Sequence, residues 1–589
     1  MVPALNETKY ITFDSDPKRM KKEKKKVQSV KKETTTKSNH ILYVAGFAIA
    51  LAISLAFSSL YQADFVNIDD NEYVKKNERI KDISIESISS MFYSPGGDMY
   101  IPLVYLSYAV EYSFSEINPH LYHTDNVLLH IINSLLVLWL IWLLTKNLFA
   151  SISISGLFAL HPFHVESVAW LSERKDVLYA MFFLASIICY HFFSQKKQNK
   201  YYLFSLLLFL LSCMSKPMAI TLPAVLLIYD YFYLKQHSWK ILINKIPFLL
   251  IALAVAFVTI KMIDLSFKKE LDINYTILDR ALLVLYSISF YIQKTLLPVN
   301  LSAMYTYPEK TGALLPLYYI FCALLMLLMG YIALSKYCGA SVKACFLFFL
   351  ITIFPVLQFL PNTFTITADR YSYIPVLGIF GIVVYYADKL IQQKRISEKS
   401  AWKVMVVILI TLSVATYNRS KVWANGISLY SDIVAKGQYK DFAICALGDL
   451  YDKNGEPLKA LAVYQHADSV YPDRNGVKLR YAASLAEAWQ YDKAIQQYLR
   501  CLALDSNVIG AYVNLGDAYL KTGKKEEALQ ILLKGHRLFP ENNTCLYNIA
   551  YAYWSMENNS EAIKYFRIAA ANKFQPAIDF LNRHNISIN

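Results

Sequence analysis

Four alanines, Ala460, Ala494, Ala528 and Ala562, stand 34 residues apart near the C-terminal end of the chain. Around Ala528, the residues Tyr512, Leu515, Gly516, Tyr519 and Pro540 hold fixed offsets. Leu447, Gly448, Tyr451, Tyr464, Ala467 and Pro472 hold the equivalent offsets around Ala460. Tyr553, Phe566 and Ala569 repeat them around Ala562, and Ala482 and Tyr498 more sparsely around Ala494. A period of this length marks a helix-turn-helix unit that cannot bury its apolar face alone and must stack on its neighbours. Small residues at the repeated positions let the two helices of a unit approach closely, and the aromatics fill the next layer. The spacing predicts helix pairs at 441–474, 475–508, 509–542 and 543–576, joined to what precedes them by a helix within 419–440.

The 34-residue period is that of the tetratricopeptide repeat, an α-solenoid with an open concave face. It follows a chain of a different kind. Of the 589 residues, 55% are hydrophobic, and the mean hydropathy is +0.30, too apolar for a soluble protein of this size. The expected fold class is all-α: a polytopic membrane protein followed by the solenoid. The net charge of +14 is concentrated at the N-terminus, where residues 1–40 carry eleven Lys/Arg against five acids. Such a run reads as a solvated cytoplasmic tail and not as a nucleic-acid site. Eight scattered cysteines without a CxxC pair suggest neither a disulfide framework nor a metal centre.

Apolar runs place eleven spans near 41–60, 124–145, 148–168, 177–194, 201–215, 218–233, 246–263, 314–335, 344–360, 371–388 and 401–417. Lys/Arg-rich turns at 146, 196–200, 235–245, 336–343 and 389–403 mark the cytoplasmic side. Alternation then requires segments 99–115 and 280–297 to lie in the interface without crossing. It puts loops 61–123, 169–176, 264–313 and 361–370 outside, together with the repeats. The domains are thus a tail at 1–40, a membrane domain at 41–418, a connecting helix at 419–440, repeats at 441–576 and a tail at 577–589. A bacterial inner membrane with a periplasmic solenoid, or an endoplasmic reticulum with a lumenal one, fits this topology.

The outer loops collect the ionisable residues, which near a membrane are by default candidates for function. The first loop holds Asp69-Asp70 in NIDDNEYV; a carboxylate pair can deprotonate a hydroxyl or hold a divalent metal, but also simply caps helices. The string HPFHVESVAWLSERKD holds His161, His164, Glu166, Arg174, Lys175 and Asp176. Two histidines three apart are weak zinc spacing and read equally as hydrogen-bonded interfacial residues. Arg174, Lys175 and Arg370 are cations on the outer side, where topology disfavours them and a bound phosphate explains them. Lys216 and Asp369 sit at outer turns beside them.

The strings NIDDNEYV, YHTDNVLLHIINSLLV, FALHPFHVESVAWLSERKDVLYAMFFL, CMSKPMAITLPAVLLIYDYF, KTLLPVNLSAMY and ADRYSYIPVLGIF, followed by repeats, resemble the transmembrane-and-TPR protein O-mannosyltransferases and their prokaryotic relatives. These belong to the GT-C class of membrane glycosyltransferases. The resemblance implies transfer of a sugar or oligosaccharide from a polyprenyl-phosphate or pyrophosphate donor to a hydroxyl, Ser/Thr of an exported protein, with inversion. On it, Asp69 is the base, and Asp70 orients the hydroxyl or binds a metal such as Mg or Mn if one is used. Arg174, Lys175 and Arg370 offset phosphate charge, with Lys216 and Asp369 beside them, and His161, His164 and Glu166 line the donor pocket. The TPR groove engages the acceptor. A membrane-anchored TPR scaffold and a lipid-linked-sugar transporter are the alternatives.

Overall fold

The computed structural model describes residues 38–588 except 67, 94–98, 263–274, 309, 311–314, 358, 360–364 and 438–439. The expected N-terminal tail therefore lies almost wholly outside the described residues. The remainder is helical, with one two-stranded antiparallel ribbon pairing Tyr305 with Thr367 and Thr306 with Thr365.

Among the described residues six helices are long and apolar enough to span a membrane: Ser38–Ala56, Pro119–Thr145, Leu171–Lys196, Trp239–Lys261, Leu317–Leu334 and Glu398–Val422. A seventh span is formed if the pair Leu148–Leu160 and Pro162–Ala169, bent by 49°, counts as one. The expected eleven are not reached. The spans expected at 201–215 and 218–233 are divided, as expected, at Lys216, whose backbone is extended (φ −156°, ψ 130°) ahead of Pro217, the conformation proline favours in the residue before it. Asn199–Ser215 and Pro217–Tyr233 are short apolar helices, and Ala340–Val356 ends in a 3-10 turn at Pro355. Each falls below the ~20 residues that cross a bilayer upright. The segment expected at the interface forms Ile277–Leu296, opened by a capping box between Thr276 and Asp279.

Polar side chains join the helices inside the bundle, where no water competes for them. Asn133 donates to the Val177 carbonyl (2.8 Å) and to the Tyr373 hydroxyl (3.1 Å). Tyr373 in turn donates to His130 Nδ1 (2.7 Å). At one end of the bundle Asn147 reaches Asp388 (2.9 Å), and Lys146, Lys197, Lys235 and Lys394 close the turns with positive φ. At the other end the C-terminal end of the first span meets residues 161–176, 365–373 and 416–436.

The repeats form four helix pairs: Lys440–Lys453 with Pro457–Val470, Asn475–Glu487 with Tyr491–Leu504, Ile509–Lys521 with Lys525–Leu538, and Asn543–Ser555 with Asn559–Ala571. Ala460, Ala494, Ala528 and Ala562 are all 0% exposed, so the periodic residues form the seam inside each pair. Two glycines show how tight that seam is. A Cβ at Gly448 would stand 2.4 Å from the Tyr464 ring, and one at Gly516 would stand 2.5 Å from Leu532. Residues 577–583, expected as tail, belong to a further helix, Gln575–Arg583. Its Phe580 stacks on Phe566 with ring centroids 3.9 Å apart, and it buries Ala577 and Leu581. It covers the apolar end that the last pair would otherwise expose.

Gly426–Ala435 fastens the solenoid to the membrane domain. The Asp64 amide donates to the Ala424 carbonyl (2.8 Å), and Asp432 pairs with Arg419 (2.7 Å) and Lys436 (2.6 Å). Lys436 also donates to the Leu301 carbonyl. Trp423, wholly buried, stacks on Trp170 at 5.8 Å.

Candidate active site

The loop after the first span separates the roles of its two aspartates. Asp70 is buried and saturated. Its Oδ2 accepts the Val66 amide (2.9 Å), and its Oδ1 accepts both the amide (3.2 Å) and the hydroxyl (2.5 Å) of Ser172. It therefore ties residues 66–70 to the start of the Leu171–Lys196 helix. Asp69 is half-buried, and among the described residues no hydrogen bond is recorded to its carboxylate. Burial raises its pKa above the ordinary 3.8, opposed first by the charge of Lys175 and further by Arg370. Half-burial leaves it room to accept a proton from an incoming group.

The cations beside Asp69 belong to a buried ionic chain. Arg370 pairs with Glu166 (2.5 Å) and Glu173 (3.2 Å). Glu173 pairs with Lys175 (3.1 Å) and Lys216 (3.7 Å), and Lys216 also pairs with Asp176. Arg370 lies on the faces of Trp170 (5.2 Å) and Tyr371 (4.9 Å). It keeps 15% exposure where Lys175 keeps 6% and Lys216 3%, so it is the cation of this chain most open to a ligand. Asp369 accepts from the Tyr305 hydroxyl (2.7 Å), and burial together with Glu166 raises its pKa to about 8. It thus fixes the ribbon strand at 305.

Three of the residues expected at the donor face elsewhere. Arg174 is 1% exposed and spent on the protein: its guanidinium pairs with Glu111, donates to Asn126 Oδ1 (2.7 Å) and the Tyr122 carbonyl (2.7 Å), and lies over Tyr108 (4.9 Å). It anchors the helix Pro102–Ser115 to the bundle and presents no face to a phosphate. His161 donates to the Thr295 carbonyl (3.0 Å) and accepts the Phe163 amide (3.2 Å). His164 donates to the Phe158 carbonyl (2.8 Å) and packs among Phe158, Tyr373 and His130. Both secure the bend of the broken helix at 161–162. Glu166, also expected to line the pocket, serves as the partner that orients Arg370.

Sequence reasoning passed over Glu173, Glu111, Arg419 and Asp432. Glu173 sits within the motif string, and its place directly before Arg174 and Lys175 was the available signal. Glu111 lies 63 residues from its partner Arg174, which no local pattern reveals. For a divalent metal, Asp69 offers one free carboxylate, since both Asp70 oxygens are occupied. Among the described residues no cluster of three or more His, Cys, Asp or Glu is placed to hold an ion. This donor set does not fit a metal.

A family described as "Dolichyl-phosphate-mannose-protein mannosyltransferase" matches residues 123–263. Tetratricopeptide families match residues 490–523, 509–542 and 544–570. Protein O-mannosyl-transferase TMTC3 of Homo sapiens is 22% identical over 581 residues, covering 83% of this chain and 62% of the relative. The chain is similar to the transmembrane-and-TPR protein O-mannosyltransferases. Protein O-mannosyl-transferase F38B6.6 of Caenorhabditis elegans is 25% identical, over 65% of this chain and 56% of its own. Protein O-mannosyl-transferase tmtc2 of Xenopus laevis is 43% identical over 95 residues, covering 15% of this chain and 11% of its own. The chain thus spans less than two thirds of the length of these O-mannosyltransferases. The match at 123–263 contains Glu166, Glu173, Lys175 and Lys216 but not Asp69 or Arg370. Among solved structures, a crystal structure of MamA aligns with 28% of this chain at 20% identity and a TM-score of 0.25.

Proposed function

We propose that the chain is a membrane glycosyltransferase that moves a sugar, mannose by its likeness, from a polyprenyl-phosphate donor to Ser/Thr hydroxyls of proteins. The observation that carries this reading is the unpartnered Asp69 carboxylate. It lies beside Lys175 and Arg370, at the end of the bundle where the solenoid docks. The acceptor hydroxyl oxygen forms a bond to the anomeric carbon while the bond from that carbon to the phosphate oxygen breaks. The hydroxyl proton passes to Asp69, and the polyprenyl phosphate leaves with the bonding pair. Displacement in one step inverts the anomeric centre. Arg370 offsets the charge that grows on the phosphate, with Glu166 and Glu173 holding its orientation; such stabilisation counts for more where water is excluded. A donor anchored in lipid explains why the site sits at the ends of spans. The four lysine-closed turns at the opposite bundle end suit the cytoplasm, which supports a topology with Asp69 and the repeats outside it.

The test uses the purified protein in proteoliposomes with a polyprenyl-phosphate mannose donor and a Ser/Thr-containing peptide. Mannosyl-peptide must form with wild-type protein and fall to background without the lipid-linked donor. Wild-type protein that transfers from no lipid-linked donor would refute the transferase reading.

A further inference from the structure

A cavity of about 430 Å³ opens between the first helices of repeats one and two, Lys440–Lys453 and Asn475–Glu487. Its floor is apolar, built by Cys445, Ala446 and Val477, and Phe442 stands at its rim, 53% exposed. The charged groups around it neutralise one another. Asp449 accepts from Arg480 (3.0 Å) and from the Tyr464 hydroxyl (2.6 Å), and Asp441 pairs with Arg474 (3.5 Å). The cavity therefore presents no net charge to an occupant and favours a neutral, apolar side chain over a phosphate or an acidic group.

The first repeat, which builds one wall of the cavity, packs close to the loop that carries Asp69. The Phe442 ring lies 6.3 Å from that of Tyr430, on the helix that docks the solenoid. Burial raises the Tyr430 pKa to about 12, helped by the charges of Asp69, Asp449 and Asp70. Tyr430, 4% exposed, packs behind the cavity rim on the helix that docks the solenoid. Its neighbour Gly426 is pinned between Leu450 of the first repeat and the Val66 carbonyl of that loop, where a Cβ would meet them at 2.9 and 3.2 Å. One turn of docking helix separates the two sites, and no second domain intervenes.

We propose that this cavity is the acceptor subsite: it takes an apolar side chain of an extended peptide whose nearby Ser/Thr hydroxyl then reaches Asp69. The proposal rests on the transferase reading above and names the part of the acceptor recognised. Charge compensation around the cavity makes recognition depend on the apolar side chain and the peptide backbone.

The experiment uses full-length protein in proteoliposomes, a polyprenyl-phosphate mannose donor and two Ser/Thr peptides that differ by one Leu-to-Ala change. Phe442→Ala and Ala446→Trp are each expected to raise the KM for the Leu peptide tenfold or more. Turnover should stay within twofold and the donor KM unchanged, and the preference for the Leu peptide over the Ala peptide should vanish. Unaltered KM and preference in Phe442→Ala, whose exposed site does not endanger folding, would overturn the subsite. A benzophenone amino acid in place of Phe442 separates this failure from failure of the transferase reading. Its photo-crosslinking to the Leu peptide supports the subsite even if no sugar is transferred, and the absence of a crosslink rejects it.

Discussion

Asp70→Asn is expected to damage the protein differently from the same change one residue earlier. The Asp70 carboxylate accepts three hydrogen bonds on two oxygens, from the Val66 amide and from the amide and hydroxyl of Ser172. Asparagine has one oxygen, so its NH2 group must face either the Val66 amide or the Ser172 pair. The Ser172 hydroxyl can rotate to donate elsewhere, but the backbone amides cannot, so at least one buried N–H loses its acceptor. That costs about 1–3 kcal/mol. Burial raises the pKa of Asp70, opposed first by the hydrogen bond from the Ser172 hydroxyl. The loop that carries Asp69 then loosens, and a ~1 Å displacement of a catalytic group costs about 10²-fold in rate. Asp70→Asn should therefore lower both the thermal midpoint in detergent and the transfer rate. Asp69→Asn removes no hydrogen bond and should change stability by less than about 0.5 kcal/mol. Thermal denaturation of the two variants side by side is the assay. An Asp70→Asn protein as stable as wild type would refute the tether, and one matched by an equally unstable Asp69→Asn would refute the division of roles.

Arg174→Met leaves the Glu111 carboxylate buried without its partner and should destabilise the protein by about 3–5 kcal/mol, with the donor KM of any surviving protein unchanged; thermal denaturation with donor titration reads both. Lys175→Met removes the charge that does most to hold the Asp69 pKa down. Because the base must be ionised, activity is lost as pH falls through that raised pKa. The acid limb of the rate profile should thus move to higher pH, by about one unit or more. Gly516→Val drives methyl groups into Leu532 and should cost about 1–3 kcal/mol by overpacking, read as earlier proteolysis within the repeats while the membrane domain stays intact.

The solenoid was legible because its period is local: one alanine every 34 residues specifies a seam that only a stacked helix pair buries. The count of spans was not: the turn at Lys216-Pro217 was legible, but the apolar runs on either side of it, and Ala340–Val356, form helices too short to cross a bilayer upright. The Asp69-Asp70 pair stood out, but its division of labour depends on Ser172, 102 residues away. Arg174 and Arg370 look alike as outer cations. They differ only through distant partners: Glu111, Asn126 and Tyr122 enclose the first, whereas the second keeps an open edge above Trp170. The two histidines were misplaced for a related reason, since the carbonyls that hold them, of Thr295 and Phe158, are backbone groups that no side-chain motif encodes.

The central claim is that Asp69 removes the proton from the acceptor hydroxyl. Single-turnover transfer of mannose from a polyprenyl-phosphate donor to a Ser/Thr peptide, by wild type and Asp69→Asn at matched saturation, tests it most directly. The account predicts that Asp69→Asn binds donor as wild type does and transfers about 10²–10⁴-fold more slowly, the contribution of a positioned general base. Asp69→Asn protein transferring mannose at the wild-type rate would contradict it.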